Sequence, residues 1–372
     1  LERTKRDLLH LIRSGARLIK FVDRTFNIRR EYAMEVFRFL IEHHGDGGGC
    51  VFQFEITADI MRPEVLQFLC DNAPPGVFRF EIGVQSTNEA TNEIIRRRQN
   101  FAKLSRTVTM IRESGKIAQH LDLIAGLPEE DYASFRRTFN DVFALRPEEL
   151  QLGFLKMLRG TGVRERAAEH GYVFMDRAPY EVLANDVLPF ADLVRIKQAE
   201  DVLEKYWNAH RMDATVTYLV DEVFATPWDF FQSFGEFWDA RGWARIGHQL
   251  EDLFLRLREF LAWAAAGGGL LKRPIDLGVV EGLMKLDYFR QHRFRPRKIW
   301  WEPALPVRER GEWMKRLAEH PEMAGDGFAA LGLGERELHK QVMLDLVPFD
   351  LGACLAEGVV RRMADEGEGS LL

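Results

Sequence analysis

Residues 121–130, LDLIAGLPEE, decide the fold class of the chain. An apolar run ends at a Gly-Leu-Pro turn, and an acidic pair then opens an amphipathic segment that continues to residue 144. A short apolar run followed by a segment of helical period is typical of a βα unit. We therefore predict a strand over residues 120–126 and a helix over residues 130–144.

Runs with the same strand character occur four more times around this stretch. Strands are predicted at residues 17–23, 51–57, 78–84 and 150–156, with helices at 31–43, 63–70 and 89–114. Alternating strands and helices form a parallel sheet, and right-handed crossovers curl five such units into an open or closed barrel. The predicted fold is α/β, a partial βα barrel with its functional residues at the carboxyl ends of the strands.

The second half of the chain has a different character, because helical patterns replace the strands. We divide the chain into residues 1–175, the barrel, and residues 176–372, a mainly helical domain. Residues 228–243, WDFFQSFGEFWDARGW, carry aromatic side chains at roughly helical spacing. Such a stripe is typical of a core or an interface, since aromatic side chains bury large areas.

Composition indicates an ordinary globular protein, with 46% hydrophobic and 29% charged residues. The formal net charge of -6 argues against a nucleic-acid partner, and the arginines at 96–98 are interpreted as a solvated helix face. No apolar run reaches the ~20 residues that cross a bilayer. Three scattered cysteines, Cys50, Cys70 and Cys354, suit the reducing cytoplasm and are interpreted as small buried hydrophobes.

Five segments, in order, resemble the strands of the radical S-adenosylmethionine (SAM) superfamily. IKFVDRTFN (19–27), FEIGVQS (80–86) and LDLIAGLPEE (121–130) are similar to its second, fourth and fifth strands. FEITADIMRPEVLQFL (54–69) resembles the third strand with its helix, and LGFLKMLRGTGV (152–163) the sixth. The most similar variety also carries an N-terminal cobalamin (B12) domain and a C-terminal helical region of unknown function. The resemblance implies a partial barrel without its first strand.

The resemblance also implies a SAM site at the strand ends. The residues carried over to SAM are Asp23, Glu55, Glu81, Gln85, Ser86, Ile124 and Gly126, and those on the substrate side are Asp122 and Lys156. Carboxylate and amide groups suit the ammonium, carboxylate and ribose of SAM. The small residues of the turn at 124–128 allow adenine to approach the backbone closely.

The three carboxylates assigned to SAM could instead have a purely structural role, and the sequence leaves both interpretations open. Asp23 could cap the helix that follows it. Glu55 and Glu81 lie inside apolar strand runs, where a lone carboxylate is costly. They could therefore form buried ion pairs, with Arg24 or Arg79 as the partner.

The remaining site positions are equally open. Gln85 and Ser86 could bond the ribose or cap the next helix. Asp122 could face SAM or the substrate. Lys156 could meet an anion, or it could be a strand-end lysine whose stem covers apolar surface.

The sequence departs from the family pattern at the iron–sulfur cluster. Radical SAM chemistry needs a [4Fe–4S] cluster on three thiolates in a C-x3-C-x2-C loop, and these 372 residues contain no such loop. We expect no metal ligands in this chain, and we expect the loop, the first strand and any cobalamin domain upstream of Leu1. This polypeptide alone should then generate no radical.

The parent function implied by the resemblance is reductive cleavage of SAM at the cluster for a radical reaction. If cobalamin is present, the radical reaction could be methyl transfer. The resemblance also implies a flavodoxin- or ferredoxin-like reductant and a small-molecule or peptide substrate, which is not identified. Two rivals remain. One is a cluster-free lyase or isomerase that uses strand-end acid and base groups. The other is a non-enzymatic adaptor that has lost the cluster.

Overall fold

The computed structural model describes residues 1–292, 295–363 and 370–372. The chain forms two compact units, Leu1–Glu204 and Lys205–Leu372. The predicted domain boundary at residue 175 lies earlier in the chain than this division and stays a prediction. Within the described residues, no helix is both long and apolar enough to span a membrane.

A parallel five-stranded sheet in the order β1-β2-β3-β4-β5 forms the centre of the first unit. Its strands are β1 (Leu18–Lys20), β2 (Val51–Ile56), β3 (Phe78–Gln85), β4 (Ile117–Ala125) and β5 (Glu149–Phe154). All five predicted strands are present and in sequence order, which confirms the α/β class. β1 is shorter than predicted, because the chain turns away after Phe21 and exposes Val22 and Asp23.

Helices connect these strands, and a small antiparallel hairpin of β6 (Val173–Phe174) and β7 (Val182–Ala184) follows them. The helices are α1 (Glu2–Arg13), α2 (Arg30–His43), α3 (Pro63–Asn72), α4 (Glu89–Ile94), α5 (Phe101–Ser114), α6 (Tyr132–Phe143), α7 (Gly162–Glu165) and α8 (Phe190–Leu203). The single helix predicted over 89–114 is wrong. The chain breaks it at Arg96, which has a positive φ, and restarts it at Asn100, whose side chain accepts a hydrogen bond from Lys103 N.

One face of the sheet is apolar and buried, and the other is polar and more open. In β3 and β4, buried and half-buried side chains alternate without exception. Phe54, Phe78 and Phe80 lie on the buried face, where their rings contact Phe37 of α2. Because strand side chains alternate with a period of two, this packing leaves the polar residues together on the opposite face.

The second unit is mainly helical, as predicted. Its helices are α9 (Asp213–Tyr218), α10 (Pro227–Ala240), α11 (Leu250–Trp263), α12 (Leu277–Arg290), α13 (Val307–Glu319), α14 (Asp326–Ala329), α15 (Glu335–Gln341) and α16 (Leu351–Glu357). A short antiparallel pair is formed by β8 (Leu346–Val347) and β9 (Ser370–Leu371). A π-helical turn, Leu219–Val223, follows α9 directly.

The aromatic stripe of α10 forms the core of this unit. Trp228, Phe230, Phe234 and Trp238 are buried, and the ring of Phe234 stacks on Phe260 of α11 at 4.5 Å between centroids. The core interpretation of residues 228–243 is therefore confirmed for α10. All eight tryptophans of the chain lie in this second unit.

Candidate functional site

The polar face of the sheet carries a row of ionisable side chains. The strand register places Glu55 beside Glu81, Glu81 beside His120, and His120 beside Glu149. Four neighbouring strands thus contribute one acid or base each at the same height. Of these four residues, only the two on β2 and β3 are among the site residues predicted from the sequence.

Glu81 is held by a lysine. Lys20 Nζ lies 2.8 Å from Glu81 Oε1, and the Gln53 amide donates to the same oxygen. Burial alone would raise the pKa of Glu81, but the hydrogen bond and charge of Lys20 outweigh it and lower the pKa. Glu81 is therefore ionised at neutral pH, and its partner is Lys20 rather than Arg24 or Arg79.

Glu55 is the opposite case. Its side chain is exposed, and within the described part of the chain it has no ion-pair partner. Desolvation raises its pKa, and the carboxylates of Glu81 and Asp122 raise it further. Two carboxyl groups on adjacent strands are thus shifted in opposite directions.

His120 lies between two acids. Its Nε2 is 3.1 Å from Asp122 Oδ1, and its Nδ1 is 3.3 Å from Glu149 Oε2. Burial lowers the pKa of His120, but the nearby carboxylates of Asp122 and Glu149 raise it overall. Arg79 pairs with Glu149 and completes this layer. Asp122 therefore meets a histidine of its own strand, which the sequence analysis missed.

Gln85 marks the carboxyl edge of β3. It is a non-glycine residue with φ 68°, in the left-handed region, where an L side chain costs roughly 1 kcal/mol. Its Oε1 is buried and has no hydrogen-bond partner among the described residues. Strain of this kind and an orphaned acceptor both occur at ligand sites. The structure thus leaves one acceptor at this edge without a partner.

A guanidinium completes the same corner. Arg97 donates to the backbone oxygen of Gly83 through Nη2 and to Gln99 Oε1 through Nε at 2.9 Å. Burial lowers the pKa of Arg97, yet the group stays charged because its reference value is so high. The interpretation of residues 96–98 as a solvated face is therefore wrong for Arg97.

Ser86 lies behind this edge rather than on it. Its side chain is fully buried and donates to Glu130 Oε1 at 2.5 Å, while it accepts from Asn88 N at 2.9 Å. Thr138 donates to the same Glu130 oxygen at 2.8 Å. Burial raises the pKa of Glu130 to about 7, although both hydrogen bonds lower it. Ser86 ties the exit of β3 to α6.

The exit of β4 is a tight turn with a glycine at its corner. Gly126 has φ +92°, and its carbonyl oxygen accepts from the Tyr172 hydroxyl at 2.8 Å and the Asn185 amide at 3.3 Å. A side chain at this position would be strained and would contact Val182. Ile124 is half-buried and lies two residues after Asp122 on β4, on the same polar face of the sheet.

Asp23 and Lys156 are exposed strand-end residues. Asp23 caps neither following element, because Thr25 and Arg29 occupy those cap positions. The backbone of Lys156 forms an antiparallel bridge with Glu181. Asn27, which the sequence analysis did not select, joins the exits of β1 and β2 through two hydrogen bonds to the Thr57 backbone, of 2.9 and 3.0 Å.

The cysteines do not fit an iron–sulfur cluster. Cys50 is buried at the start of β2, Cys70 is half-buried in α3, and Cys354 is half-buried in α16 of the second unit. Desolvation raises the pKa of all three thiols, whereas cluster ligands must be thiolates. Among the described residues, no group of three His, Cys, Asp or Glu side chains could hold a metal ion.

Two family models match the chain. The model of the radical SAM superfamily matches residues 1–142, the part that contains the strands β1 to β4. The model described as "Protein of unknown function (DUF4080)" matches residues 168–365, more than half of the chain. Most of the first unit therefore matches the radical SAM superfamily model. The chain belongs to the DUF4080 family.

Individual relatives are similar over limited parts. Oxygen-independent coproporphyrinogen III oxidase of Paracoccus denitrificans (strain Pd 1222) is 34% identical over 80 residues, 22% of this chain and 18% of that protein. Coproporphyrinogen III oxidase from Escherichia coli, described as a radical SAM enzyme, has a TM-score of 0.40 at 17% identity, covering 57% of this chain and 51% of that chain.

The radical SAM methyltransferase TsrM from Kitasatospora setae, solved with cobalamin and a [4Fe–4S] cluster, has a TM-score of 0.37 at 15% identity and covers 50% of this chain and 37% of that chain. The chain thus spans about half or less of each protein that it resembles. The substrates and cofactors in their descriptions belong to those proteins.

Proposed function

We propose that the carboxyl edge of the sheet holds SAM, as part of a radical SAM enzyme. The observation that carries this proposal is the β3 corner. There the side chain of Gln85, with its orphaned oxygen, and the guanidinium of Arg97 both lie close to Gly83, in a sheet whose strands β1 to β4 fall within the superfamily match. A buried acceptor without a partner is satisfied when a ribose hydroxyl donates to it.

The other residues fit SAM in the following way. Arg97 suits the carboxylate of SAM, because guanidinium–carboxylate pairs are short and directional. Asp23 and Glu55 are exposed acceptors for the ammonium group, and Glu81 has a second oxygen that Lys20 and Gln53 leave unused. Ile124 and the backbone of Gly126 offer adenine an apolar, closely approachable wall.

The cluster that the superfamily implies does not fit the cysteines of this chain, so the proposal stops at SAM binding. Bound SAM supplies a sulfonium whose carbon–sulfur bond can be cleaved. Cobalamin-dependent methyl transfer and the flavodoxin- or ferredoxin-like reductant stay predictions of the resemblance.

Titration of the full chain with SAM tests the proposal. We expect saturable binding by calorimetry, and Gln85→Ala should weaken it by about tenfold, the effect of one lost hydrogen bond to a buried acceptor. Gln67→Ala, which removes an exposed amide on α3 that donates to Asp71, should leave the affinity unchanged. Absence of binding by the unaltered chain would rule the proposal out.

An acid–base enzyme is the second candidate, and Glu55 favours it. Adjacent carboxyl groups whose pKa values are pushed apart commonly act as acid and base, and Glu55 and Glu81 form such a pair. This lyase or isomerase would turn over in air without SAM, and Glu55→Gln would abolish its activity. The adaptor alternative predicts neither SAM binding nor turnover, so the SAM titration and a turnover assay in air together separate all three.

A further inference from the structure

The second unit contains a partly open cavity of about 480 Å³, outside the proposed SAM site. It is lined by α9, by the π-helical turn Leu219–Val223, by α12, and by residues 354 and 358–360. Small-molecule pockets have volumes of roughly 300–1,000 Å³. The cavity is therefore large enough for an organic ligand.

Part of the cavity wall is apolar. Leu283 and Leu286 of α12 are buried and line it, together with Ala214 and Val360. The ring of Tyr218 adds an aromatic surface, over which the Arg273 guanidinium lies at 5.3 Å from the ring centroid. This part of the wall suits a large apolar group.

Two arginines line the same cavity, and they differ in how firmly they are held. Arg273 forms an ion pair with Glu222 at 3.3 Å. Arg290 lies 3.8 Å from Asp287, too far for a hydrogen bond. The Asp287 carboxylate accepts instead from the backbone and hydroxyl of Thr215 and from Ala214 N. The donors of Arg290 are therefore not committed to Asp287.

Acidic side chains lie on the wall formed by α9 and the π-helical turn. Asp213 comes from α9, and Asp221 and Glu222 come from the turn. π-Helical turns are rare and occur frequently at functional sites. A cavity that combines a guanidinium, carboxylates and an apolar wall matches a ligand with charges of both signs and an apolar body.

We propose that this cavity binds a free α-amino acid with a large apolar side chain. The ligand carboxylate pairs with Arg290, since a guanidinium fork matches a carboxylate. The ammonium group faces the carboxylate of Asp213, and the side chain packs on Leu283 and Leu286. All residues that line this cavity belong to the second unit.

Three matched ligands test this assignment on the full chain: L-phenylalanine, 3-phenylpropanoate, which lacks the ammonium group, and phenethylamine, which lacks the carboxylate. We expect phenylalanine to bind at least about tenfold more tightly than either analogue, because each lacks one charge-assisted contact. Methyl NMR should show shifts at Leu283, Leu286 and Val360, and none at Leu253 in the core formed by α11. Equal affinity of either analogue, or no shift at these methyls, would overturn the proposal.

Arg290→Gln provides the variant test. It should weaken phenylalanine binding by about tenfold, while Arg308→Gln, an exposed arginine on α13, should change nothing. Unchanged affinity in Arg290→Gln would also overturn the proposal. Thermal unfolding checks that the Arg290→Gln variant folds. If the variant does not fold, the comparison of the three ligands on the unaltered chain tests the proposal.

Discussion

The carboxyl group of Glu130 is fully buried, and this makes it a pH-sensitive residue. Its Oε1 accepts from Ser86 and Thr138, while its Oε2 has no hydrogen-bond partner in the described part of the chain. Burial raises the pKa to about 7, against about 4.3 in an unfolded chain. The protonated form therefore stabilises the folded state below about pH 4.3, and this stabilisation is lost as the pH rises through 7.

Glu130→Gln should remove this dependence, because a glutamine keeps an acceptor for Ser86 and Thr138 and cannot ionise. We expect the variant to match the unaltered chain near pH 4.5 and to exceed it at pH 8 by up to about 3 kcal/mol, from a pKa difference of roughly 2.5 units. Hydrogen exchange in peptides of β3 and β4, measured from pH 5 to 8, would report the difference. Parallel pH profiles for the two proteins would contradict it.

Some residues of the candidate site could be predicted from the sequence, and others could not. Glu55 and Glu81 could be found because a carboxylate inside an apolar strand run is conspicuous. His120 carried the same signal, since it alternates with Leu121 and lies on the face of Asp122. Arg97 could not be found, because its contact with Gly83 depends on the backbone turn at Arg96 rather than on any periodicity.

At the scale of elements, α12 contains a glycine that packing requires. A Cβ at Gly282 would lie 2.7 Å from the Phe349 ring and 3.1 Å from Pro348. Alanine in a helix interior gains about 1 kcal/mol over glycine, whereas overpacking a core costs about 1–3 kcal/mol. The contact is with a ring and a proline, which have little room to move, so the packing cost should exceed the propensity gain.

Gly282→Ala should therefore destabilise the chain by up to about 2 kcal/mol. Gly311→Ala in α13, where a Cβ would meet nothing within 4 Å, should stabilise it by about 1 kcal/mol. Urea unfolding of both variants measures the two effects. Stabilisation by both substitutions would show that the Phe349 ring moves aside freely.

The elements themselves were largely predictable. The five strands of the sheet follow from apolar alternation, which burial on one face imposes. The break between α4 and α5 was missed although Asn100, a good N-cap residue, signals it. The β6–β7 hairpin and the π-helical turn are too short to leave a periodic signal.

For the whole molecule, the sequence predicted a barrel-like part followed by a helical part, and both are present. The sequence could not reveal the cavity of the second unit, because its wall is formed by α9, α12 and residues 354–360, which lie far apart in the chain. Contacts of this kind depend on how helices pack. The hydrophobic pattern of each helix fixes which face is buried, but it does not identify the partner.

The confinement of every tryptophan to residues 205–372 has an optical consequence. Indole emission from this chain originates in the helical unit alone, with Trp228 and Trp238 in its core. The barrel unit, which has tyrosines but no indole, is spectrally silent when tryptophan is excited selectively. Each half can thus be observed in the intact chain, one by its native fluorophores and the other by a single indole introduced on purpose.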